Sequence, residues 1–243
     1  MQKKKIYADQ SSLAKNTAAY IIKSASTAID QRGQFRIALT GGNTPKLLYS
    51  ELALLDTDWS KWIIAMGDER CVPHSNPDSN IGMATEFLLN KVPVPPQNIL
   101  SISENYSSPE EAAEHFTSTL KPLIDDSGWI PRFDLILLGL GEDGHVASLF
   151  PGNESLDVTD KAVVASAPGV LPPPVDRITF TYPVINAANE VIVLVSGKNK
   201  AEVVHKVLET GEDYHIRPAN GIHVINGDEI WMLDEAAASL LGK

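Results

Sequence analysis

The sequence of 243 residues has a single cysteine, Cys71, and fewer basic than acidic residues. One cysteine excludes an intramolecular disulfide and a cysteine-cluster metal site. It is also typical of a reducing compartment, so we expect a cytoplasmic protein. Lys and Arg number 20 against 31 Asp and Glu, which gives a formal net charge of −11. Non-specific nucleic-acid binding needs a surplus of basic residues, so we expect no nucleic-acid partner.

Long apolar runs are also absent. The most apolar stretch covers residues 133–140, far below the roughly 20 residues that span a bilayer, so it predicts a buried strand and no membrane insertion. The opening MQKKKIYADQ has no apolar run of the length that a secretory signal requires. Hydrophobic residues at 43% and charged residues at 21% are ordinary for a folded globular chain.

Helix-like and strand-like patterns alternate along the chain. Helical periodicity from Leu13 to Ala28 before Gly33 predicts that the opening unit is a helix followed by the strand FRIALT. Further strands are predicted at 62–66, 98–102, 134–140, 162–166, 177–181 and 190–195, with a final pair around 223–227 and 229–233. Further helices are predicted from Pro45, from about Ser79, from Pro109 to Asp125 and from Lys198 to Leu208. This alternation predicts an α/β fold with a mostly parallel sheet covered by helices on both faces.

The main break in composition is PGVLPPPVD, residues 168–176. Four prolines and a glycine forbid a helix or a central strand there. The stretch could be an interdomain linker or a short rigid loop that carries the chain back over the sheet. Because the β/α alternation resumes at once, we predict a single domain over residues 1–243.

The segment TGGNTP, Thr40 to Pro45, lies between strand FRIALT and the next helix. Gly41 and Gly42 allow a tight turn and a close approach to a ligand, and Thr44 is predicted to cap the helix. Backbone N–H groups at such a helix start form a phosphate cradle, although an ordinary strand-to-helix turn has the same composition. The loop lacks the lysine of a Walker motif, which disfavours nucleoside triphosphates.

The segment GDER, residues 67–70, directly follows the predicted strand WIIAM. Ligands bind at the carboxyl ends of strands in open α/β sheets, so Asp68 and Arg70 are candidate site residues. The alternative is a solvated loop with a local ion pair. Asn80 ends SNPDSN at a predicted helix start and is a candidate ligand contact.

The segment GLGEDGHVASLFPG, residues 139–152, begins with G-x-G-x-x-G. We reject a dinucleotide site, because Glu142 and Asp143 would occupy the place of the pyrophosphate and PG at 151–152 truncates any following helix. The segment instead predicts a tight turn that projects Asp143 and His145 above the sheet edge. Histidine titrates near neutrality, and an adjacent carboxylate can fix its tautomer.

Positive charge occurs at two late element ends. Arg177 opens a strand, and SGKNK, residues 196–200, joins a strand to a helix. Both positions suit phosphate binding in an acidic chain. Lysines in a first helical turn oppose the helix dipole, which favours a ligand-driven explanation for Lys198 or Lys200.

Taken in order, TGGNTP, GDER, DSNIGM, LGLGEDGHVASLFPG, DRITFT, SGKNKAEVV and WMLDEAAA resemble the glucosamine-6-phosphate isomerase/6-phosphogluconolactonase superfamily, and within it the lactonases. The resemblance covers nearly the whole chain. It implies a Rossmann-like fold and hydrolysis of 6-phospho-D-glucono-1,5-lactone to 6-phosphogluconate in the oxidative pentose phosphate pathway. It also implies that the protein needs neither a metal nor a redox cofactor, and that its partner is the small sugar-phosphate lactone.

The same resemblance implies roles for individual residues. His145 would be the general base, with Asp143 orienting its ring, and Asp68 and Arg70 would shape the sugar end of the pocket. Which of Asp68 and Arg70 touches the phosphate stays open, and the G-x-x-K spacing favours Lys200 over Lys198. The phosphate would be held by Gly41, Gly42, Thr44, Arg177 and Lys200.

Two rival functions remain at this level. The related deaminases carry FNEPG after the DGH turn and a tyrosine after DE, whereas this chain has SLFPG and Arg70; both departures favour the lactonase. A sugar-phosphate sensor without catalysis would carry a DNA-binding module, for which the predicted opening helix and strand leave no room. We expect a monomer or a small homo-oligomer.

Overall fold

The computed structural model describes residues 2–124 and 128–242. The strands among these residues are β1 Gln2–Tyr7, β2 Phe35–Leu39, β3 Trp62–Met66, β4 Asp68–Arg70, β5 Ile99–Leu100, β6 Leu135–Leu138, β7 Val163–Ser166, β8 Arg177–Phe180, β9 Glu190–Val195 and β10 Asp228–Asp234. The α-helices are α1 Gln10–Arg32, α2 Thr44–Leu52, α3 Asn80–Ala84, α4 Pro109–Thr119, α5 Tyr182–Asn186 and α6 Ala201–His205. Helices α3 and α6 each continue into a π-helical turn, Thr85–Leu89 and Lys206–Thr210.

Seven strands form one sheet in the order β1-β10-β9-β6-β2-β3-β5. Every neighbouring pair in it is parallel. From β2 the chain runs to β3 on one side, and β6, β9 and β10 follow on the other. The strand order therefore reverses between β2 and β6, where open α/β sheets place their ligands.

Side chains of the central strands alternate between two apolar cores. Ile37 packs into the core under α1 and α2, whereas its neighbour Ala38 faces the core under α4 and α6. In β6, Leu135 and Leu137 likewise face the core under α1 and α2, whereas Ile136 and Leu138 face the core under α4 and α6. Helices thus cover both faces of a mostly parallel sheet, which confirms the predicted fold class.

A small antiparallel sheet, in the order β4-β8-β7, stands beside the large one. β7 and β8 pair directly across the proline-rich stretch, with Val163 opposite Phe180. Because the strands on either side are hydrogen-bonded to each other, residues 168–176 form a loop, and the linker interpretation is wrong.

The two ends of the chain differ from the prediction. The predicted helix and strand are present as α1 and β2, but β1 precedes them and pairs along its whole length with β10, so the prediction that a helix is the first element is wrong. The predicted strand at 223–227 is also wrong. Ile225 is 72% exposed, and its N–H donates to the carbonyl of Asn186 at the end of α5. β10 therefore pairs with β1 and β9, and not with residues 223–227.

Capping residues set both ends of α1. Asp9 accepts a hydrogen bond from Ser12 N at its start, a preferred arrangement for an aspartate that precedes a helix. Gly33, at φ 75°, ends the helix, as the position of this glycine after the helical pattern predicts.

Two other predicted elements are shorter in the structure. The predicted strand at 98–102 shrinks to β5. Helix α4 ends at Thr119, and its predicted end at Asp125 lies outside the described residues. Among the described residues, no helix combines the length and apolarity needed to span a membrane.

Candidate active site

A cavity of about 220 Å³ opens at the carboxyl ends of the central strands. Its walls come from the loops after β2, β3, β6 and β9 and from the proline-rich loop. The lining residues are Thr40, Gly41, Gly42, Asp68, Arg70, Asn80, Gly139, Leu140, Gly141, His145, Ala147, Phe150, Leu171, Pro172, Arg177 and Lys200. Of the ten predicted site residues, eight line this cavity; Thr44 and Asp143 are the other two.

The Gly-rich loop, residues 40–43, leads from β2 into α2. Tyr49 on α2 anchors it, since its hydroxyl accepts from Thr40 N at 3.0 Å and donates to Thr40 O at 2.7 Å. Gly42 has a φ of 98°, a conformation that favours glycine. Thr44 was predicted to cap α2 but is itself the first helical residue. The preceding Asn43 occupies the cap with no side-chain hydrogen bond, so the predicted cap is wrong.

The three charged residues of GDER form β4, and alternate side chains of a strand point to opposite faces. Asp68 and Arg70 therefore line the cavity together. The Asp68 carboxylate accepts a hydrogen bond from Ser148 Oγ at 2.7 Å. Arg70 donates from Nη1 to the carbonyl of Asp78. Asp68–Arg70 thus form a strand in which Asp68 and Glu69 are buried and Arg70 is partly buried, and the interpretation as a solvated loop is wrong.

Glu69 points away from the cavity and holds the start of α3. Its carboxylate accepts from the N–H groups of Arg70, Asn80 and Ile81 at 2.7–2.8 Å. Burial raises the pKa of Glu69, and these backbone hydrogen bonds offset part of that rise. A carboxylate at a helix start also suits the helix dipole. Glu69 therefore fixes the position of Asn80 relative to β4.

The histidine turn, residues 139–147, follows β6. Gly141 N donates to His145 O at 2.9 Å, and Gly144 N donates to Gly141 O at 3.0 Å. Gly144 has a φ of 88°. A Cβ on Gly141 would lie only 2.0 Å from His145 Nδ1, so glycine is needed for the ring to lie there. The G-x-G-x-x-G pattern here shapes a tight turn that presents His145 to the cavity.

Asp143 lies behind His145. Its Oδ1 is 2.6 Å from His145 Nδ1 and also accepts from the backbone N of His145 at 3.0 Å. Burial raises the pKa of the Asp143 carboxyl, but the hydrogen bonds and charge of His145 outweigh it, so the pKa lies below its ordinary value. The ionised carboxylate requires Nδ1 to carry a proton, which leaves Nε2 as the basic nitrogen of the neutral ring.

Two arginines face each other beside this pair. Arg70 on β4 and Arg177 on β8 are direct partners across the antiparallel ladder. Arg177 is held by the carbonyls of Val175 and Pro173, at 3.1 and 2.9 Å, and lies 5.7 Å from the ring centre of Phe150. Burial and the nearby charge of Arg70 lower the pKa of Arg177. Directly opposed like charges destabilise a ladder, so this arrangement favours an anionic ligand.

Lys200 supplies a third cation. Its Nζ donates to the carbonyl of Leu140 at 2.8 Å, and burial lowers its pKa, partly offset by Glu142 and Asp143. Lys198 is exposed and does not line the cavity. Asp234, from the WMLDEAAA segment, positions this loop by accepting from Gly197 N at 3.0 Å.

Several residues of the candidate site were not predicted from the sequence. Ser148 is fully buried and contacts Asp68, and Phe150 packs against His145 with ring centres 4.7 Å apart. Ala147, with a φ of 50°, is strained backbone beside His145. Arg217 packs under the histidine turn and donates from Nη1 to Asp143 O at 3.3 Å. Only SLFPG, directly after the histidine turn, offered a signal for Ser148 and Phe150.

Metal ligands do not cluster in the part of the chain that the structure describes. Residues 2–124 and 128–242 contain no group of three or more His, Cys, Asp or Glu side chains that could hold a metal ion. The chemistry that this cavity presents is a histidine–carboxylate pair with three cations beside it.

Comparison with known proteins gives consistent matches. The family model described as glucosamine-6-phosphate isomerases/6-phosphogluconolactonase matches residues 8–231. A 6-phosphogluconolactonase from Nostoc sp. is 38% identical over 234 residues, covering 96% of this chain and 95% of that protein. The structure of 6-phosphogluconolactonase from Trypanosoma brucei has a TM-score of 0.88 at 29% identity, covering 100% and 99% of the two chains. A monomeric glucosamine-6-phosphate deaminase shares the fold, with a TM-score of 0.82 at 21% identity, covering 98% and 99%.

Proposed function

The chain belongs to the glucosamine-6-phosphate isomerase/6-phosphogluconolactonase family. On that basis we propose that His145 is the general base in the hydrolysis of 6-phospho-D-glucono-1,5-lactone. This hydrolysis gives 6-phosphogluconate in the oxidative pentose phosphate pathway, and it is the activity of the chain. The observation that carries the mechanism is the contact of 2.6 Å between Asp143 and His145, of which His145 lines the cavity.

Arg70, Arg177 and Lys200 hold the phosphate group in this proposal. All three line the cavity, and they concentrate positive charge within a chain of net charge −11. The two arginines supply forked donors that match phosphate oxygens, and Lys200 adds a point charge. N–H groups of the Gly-rich loop at Gly41 and Gly42 add neutral donors. Fixing the phosphate places the lactone carbonyl near His145.

His145 Nε2 then removes a proton from a water molecule as its oxygen attacks the lactone carbonyl carbon. The carbonyl π electrons move onto oxygen, and the tetrahedral intermediate is stabilised by N–H groups of the glycine turns or by a nearby cation. When the intermediate collapses, the bond from carbon to the ring oxygen breaks. The protonated His145 returns its proton to that oxygen, which becomes the C5 hydroxyl. Asp143 stabilises the imidazolium and keeps the ring oriented.

In this proposal Asp68 and Asn80 lie at the end of the cavity that binds the sugar. Asp68 is 6% exposed, and Ser148 Oγ donates to its Oδ2. Its carboxylate accepts hydrogen bonds from the attacking water or from a sugar hydroxyl, and it keeps phosphate away from this wall by charge repulsion.

Thr44 begins α2 beside the Gly-rich loop, and its backbone N–H is the part of that residue suited to phosphate.

The test is acid release from freshly generated lactone, followed by a pH indicator against the spontaneous rate. His145→Ala should lose most turnover and still bind 6-phosphogluconate. His205→Ala is the matched control, since His205 also pairs with a carboxylate, Glu209, at 2.8 Å, but on the surface of α6. A His145→Ala variant that hydrolyses lactone at nearly the normal rate would disprove the base assignment.

A parallel ammonia-release assay with glucosamine 6-phosphate tests the deaminase alternative. The chain should release no ammonia, because SLFPG lacks the glutamate that the related deaminases carry. If the protein accelerates neither acid release nor ammonia release but still binds 6-phosphogluconate, the non-catalytic sugar-phosphate sensor would be favoured. A cytoplasmic location and a monomer or small homo-oligomer complete the proposal, and cell fractionation and sedimentation test them.

A further inference from the structure

The supporting segment, residues 212–221, runs along the histidine turn. The N–H of Ala219 donates to the carbonyl of Gly144 at 2.9 Å, and the N–H of Gly152 donates to the carbonyl of His215 at 2.9 Å. Gly144 precedes the catalytic histidine and Gly152 follows it. Main-chain hydrogen bonds to one segment therefore hold the chain on both sides of that histidine.

Helix α5 anchors the supporting segment. Tyr182 Oη donates to the carbonyl of Pro218 at 2.6 Å, and Asn186 Nδ2 donates to the carbonyl of Gly221 at 3.0 Å. Both carbonyls belong to the short 3₁₀ turn Pro218–Gly221. Because satisfied polar contacts of this kind make a structure rigid, the segment is a fixed base for the side chain at position 217.

Arg217 extends from this segment to the histidine turn. Its Nη1 donates to the carbonyl of Asp143 at 3.3 Å. A Cβ on Gly144 would lie 2.6 Å from Arg217 Cδ, so glycine at this position leaves room for the arginine stem. Arg217 Nε lies 3.1 Å from Glu212 Oε2, an ionic contact without hydrogen-bond geometry. The arginine side chain is 20% exposed, and it is packed between the turn and Glu212.

The contacts of Arg217 bear on the backbone that joins Asp143 to His145. The carbonyl of Asp143 accepts from Arg217, and the carboxylate of the same residue lies 2.6 Å from His145 Nδ1. A shift of this backbone would therefore move the carboxylate relative to the imidazole. Arg217 itself does not line the cavity, so any effect on the reaction must pass through the histidine turn.

We propose that Arg217 is a positioning residue, which fixes the backbone at Asp143 and Gly144 and thereby aligns the Asp143 carboxylate with His145. The inference rests on the proposed function for the reaction that this alignment serves. A small displacement of a catalytic group lowers the rate of the chemical step steeply, whereas the cations that hold the phosphate are not touched. Loss of Arg217 should therefore lower kcat and leave KM close to its wild-type value.

The experiment measures steady-state hydrolysis of fresh lactone, corrected for the spontaneous rate, by Arg217→Met and Arg217→Lys. The methionine variant keeps most of the stem and removes the guanidinium, so kcat should fall at least about tenfold while KM stays within about twofold of the wild type. The lysine variant keeps the stem, a charge beside Glu212 and a donor. It should regain most of the lost kcat.

Arg32→Met is the matched control. Arg32 pairs with the carboxylate of Asp134 but does not line the cavity. Its substitution removes an arginine–carboxylate pair of the same kind and should leave both kcat and KM unchanged. The comparison separates the loss of an ion pair from the misalignment of the histidine turn.

A double variant tests whether Arg217 acts through Asp143. Because Asp143→Asn already removes the carboxylate, adding Arg217→Met to it should change kcat less than about twofold. A further drop of about tenfold in that background would overturn the inference, since independent effects add in free energy. A wild-type kcat in Arg217→Met, or a loss confined to KM, would overturn it as well.

Glu212→Gln replaces Arg217→Met if the latter does not fold, because it releases the same guanidinium from its ionic contact. Its kcat should fall while KM stays unchanged, and a wild-type kcat would count against the inference. A wild type that does not accelerate lactone hydrolysis would remove the proposed function. If the wild type is active and the losses from Arg217→Met and Asp143→Asn are additive, only the role of Arg217 fails.

Discussion

Arg70 and Arg177 lie directly opposite each other in the antiparallel pair of β4 and β8. Two guanidinium groups in this position repel each other, and the burial of Arg177 weakens the screening by solvent. Such a pair lowers the stability of the empty protein and attracts a doubly charged phosphate, which relieves the repulsion. Strain of this kind at a functional site exchanges stability for binding.

Arg70→Met should therefore weaken 6-phosphogluconate binding and raise KM for the lactone about 10- to 100-fold, the range expected for losing a charge-assisted hydrogen bond. Its thermal midpoint should equal or exceed that of the wild type, because the repulsion with Arg177 is gone. Arg70 is the better choice of the two, since it donates to one carbonyl, that of Asp78, whereas Arg177 holds two carbonyls of the proline-rich loop. Differential scanning calorimetry and product titration measure the two effects.

Inorganic phosphate provides the companion measurement. It should raise the thermal midpoint of the wild type with increasing concentration, as any ligand of the native state does. The same phosphate should have a much smaller effect on Arg70→Met. Wild-type product affinity in the variant, or a large drop in its midpoint, would contradict this account.

Gly141→Ala should impair catalysis rather than folding. The new Cβ would lie 2.0 Å from His145 Nδ1 and 2.6 Å from Asp143 Oδ1, so the imidazole must move. We expect kcat to fall at least about tenfold, since small displacements of a catalytic group are costly. Steady-state kinetics measures this loss.

Gly152→Ala is the control for that variant. Gly152 has a φ of 68°, and a Cβ there would meet nothing within 4 Å. The substitution strains the backbone by about 1–2 kcal/mol without touching the cavity, so it should lower the thermal midpoint and leave kcat unchanged. The reverse ranking of the two variants in activity would show that the position of His145 does not depend on Gly141.

The central strands were predictable because they are buried on both faces. β2, β3, β6 and β9 are near-continuous apolar runs, as parallel strands in the middle of a sheet must be. β1 was missed for the opposite physical reason. It lies at the sheet edge, and its three lysines resemble a solvated segment while protecting the edge from further pairing.

The candidate site was predictable where the shape of its loops depends on the conformational freedom of glycine. Glycines at 41, 42, 141 and 144 are visible in the sequence, and they shape the two loops that form the cavity. The separation of Glu69 from Asp68 was not found, because it follows from β4 being a strand with alternating faces. That short strand is defined by pairing with β8, which lies more than 100 residues away in the sequence, and no local pattern specifies this contact.

Lys200 should make product binding sensitive to alkaline pH. Burial lowers its pKa from the ordinary value of 10.5, so the free protein loses this charge at a lower pH than an exposed lysine would allow. The affinity for 6-phosphogluconate should fall as pH rises through that range. The product is the suitable probe because the lactone opens spontaneously.

Lys200→Met should bind the product about tenfold more weakly at neutral pH, and its affinity should lack this component of the pH dependence. Lys198→Met is the control, since Lys198 is exposed only two residues away and does not line the cavity. Calorimetric titrations of the three proteins between pH 7 and pH 10, values chosen to bracket roughly the lysine range, give the comparison. If Lys198→Met loses affinity and Lys200→Met does not, the assignment of the third cation is reversed.

Asp143→Asn should lower kcat about 100-fold or more, because the amide neither stabilises the imidazolium nor enforces the tautomer with Nδ1 protonated. Steady-state hydrolysis of fresh lactone, corrected for the spontaneous rate, measures this loss. A variant with nearly the normal kcat would show that His145 needs no carboxylate behind it.

The same substitution should change the dependence of stability on pH in a definite direction. The folded-state pKa of Asp143 lies below its ordinary value of 3.8, the effect of burial being outweighed by His145. The ionised carboxylate therefore stabilises the fold above that ordinary value, and this stabilisation is lost as pH falls through the lower folded-state pKa.

The free energy of unfolding of the wild type, measured with urea, should exceed that of Asp143→Asn near neutral pH and approach it in acid. His145→Ala removes the partner instead of the carboxylate and should flatten the same acid limb. Parallel curves for the wild type and Asp143→Asn would show that the contact of 2.6 Å contributes nothing to folding, and that its effect is confined to catalysis.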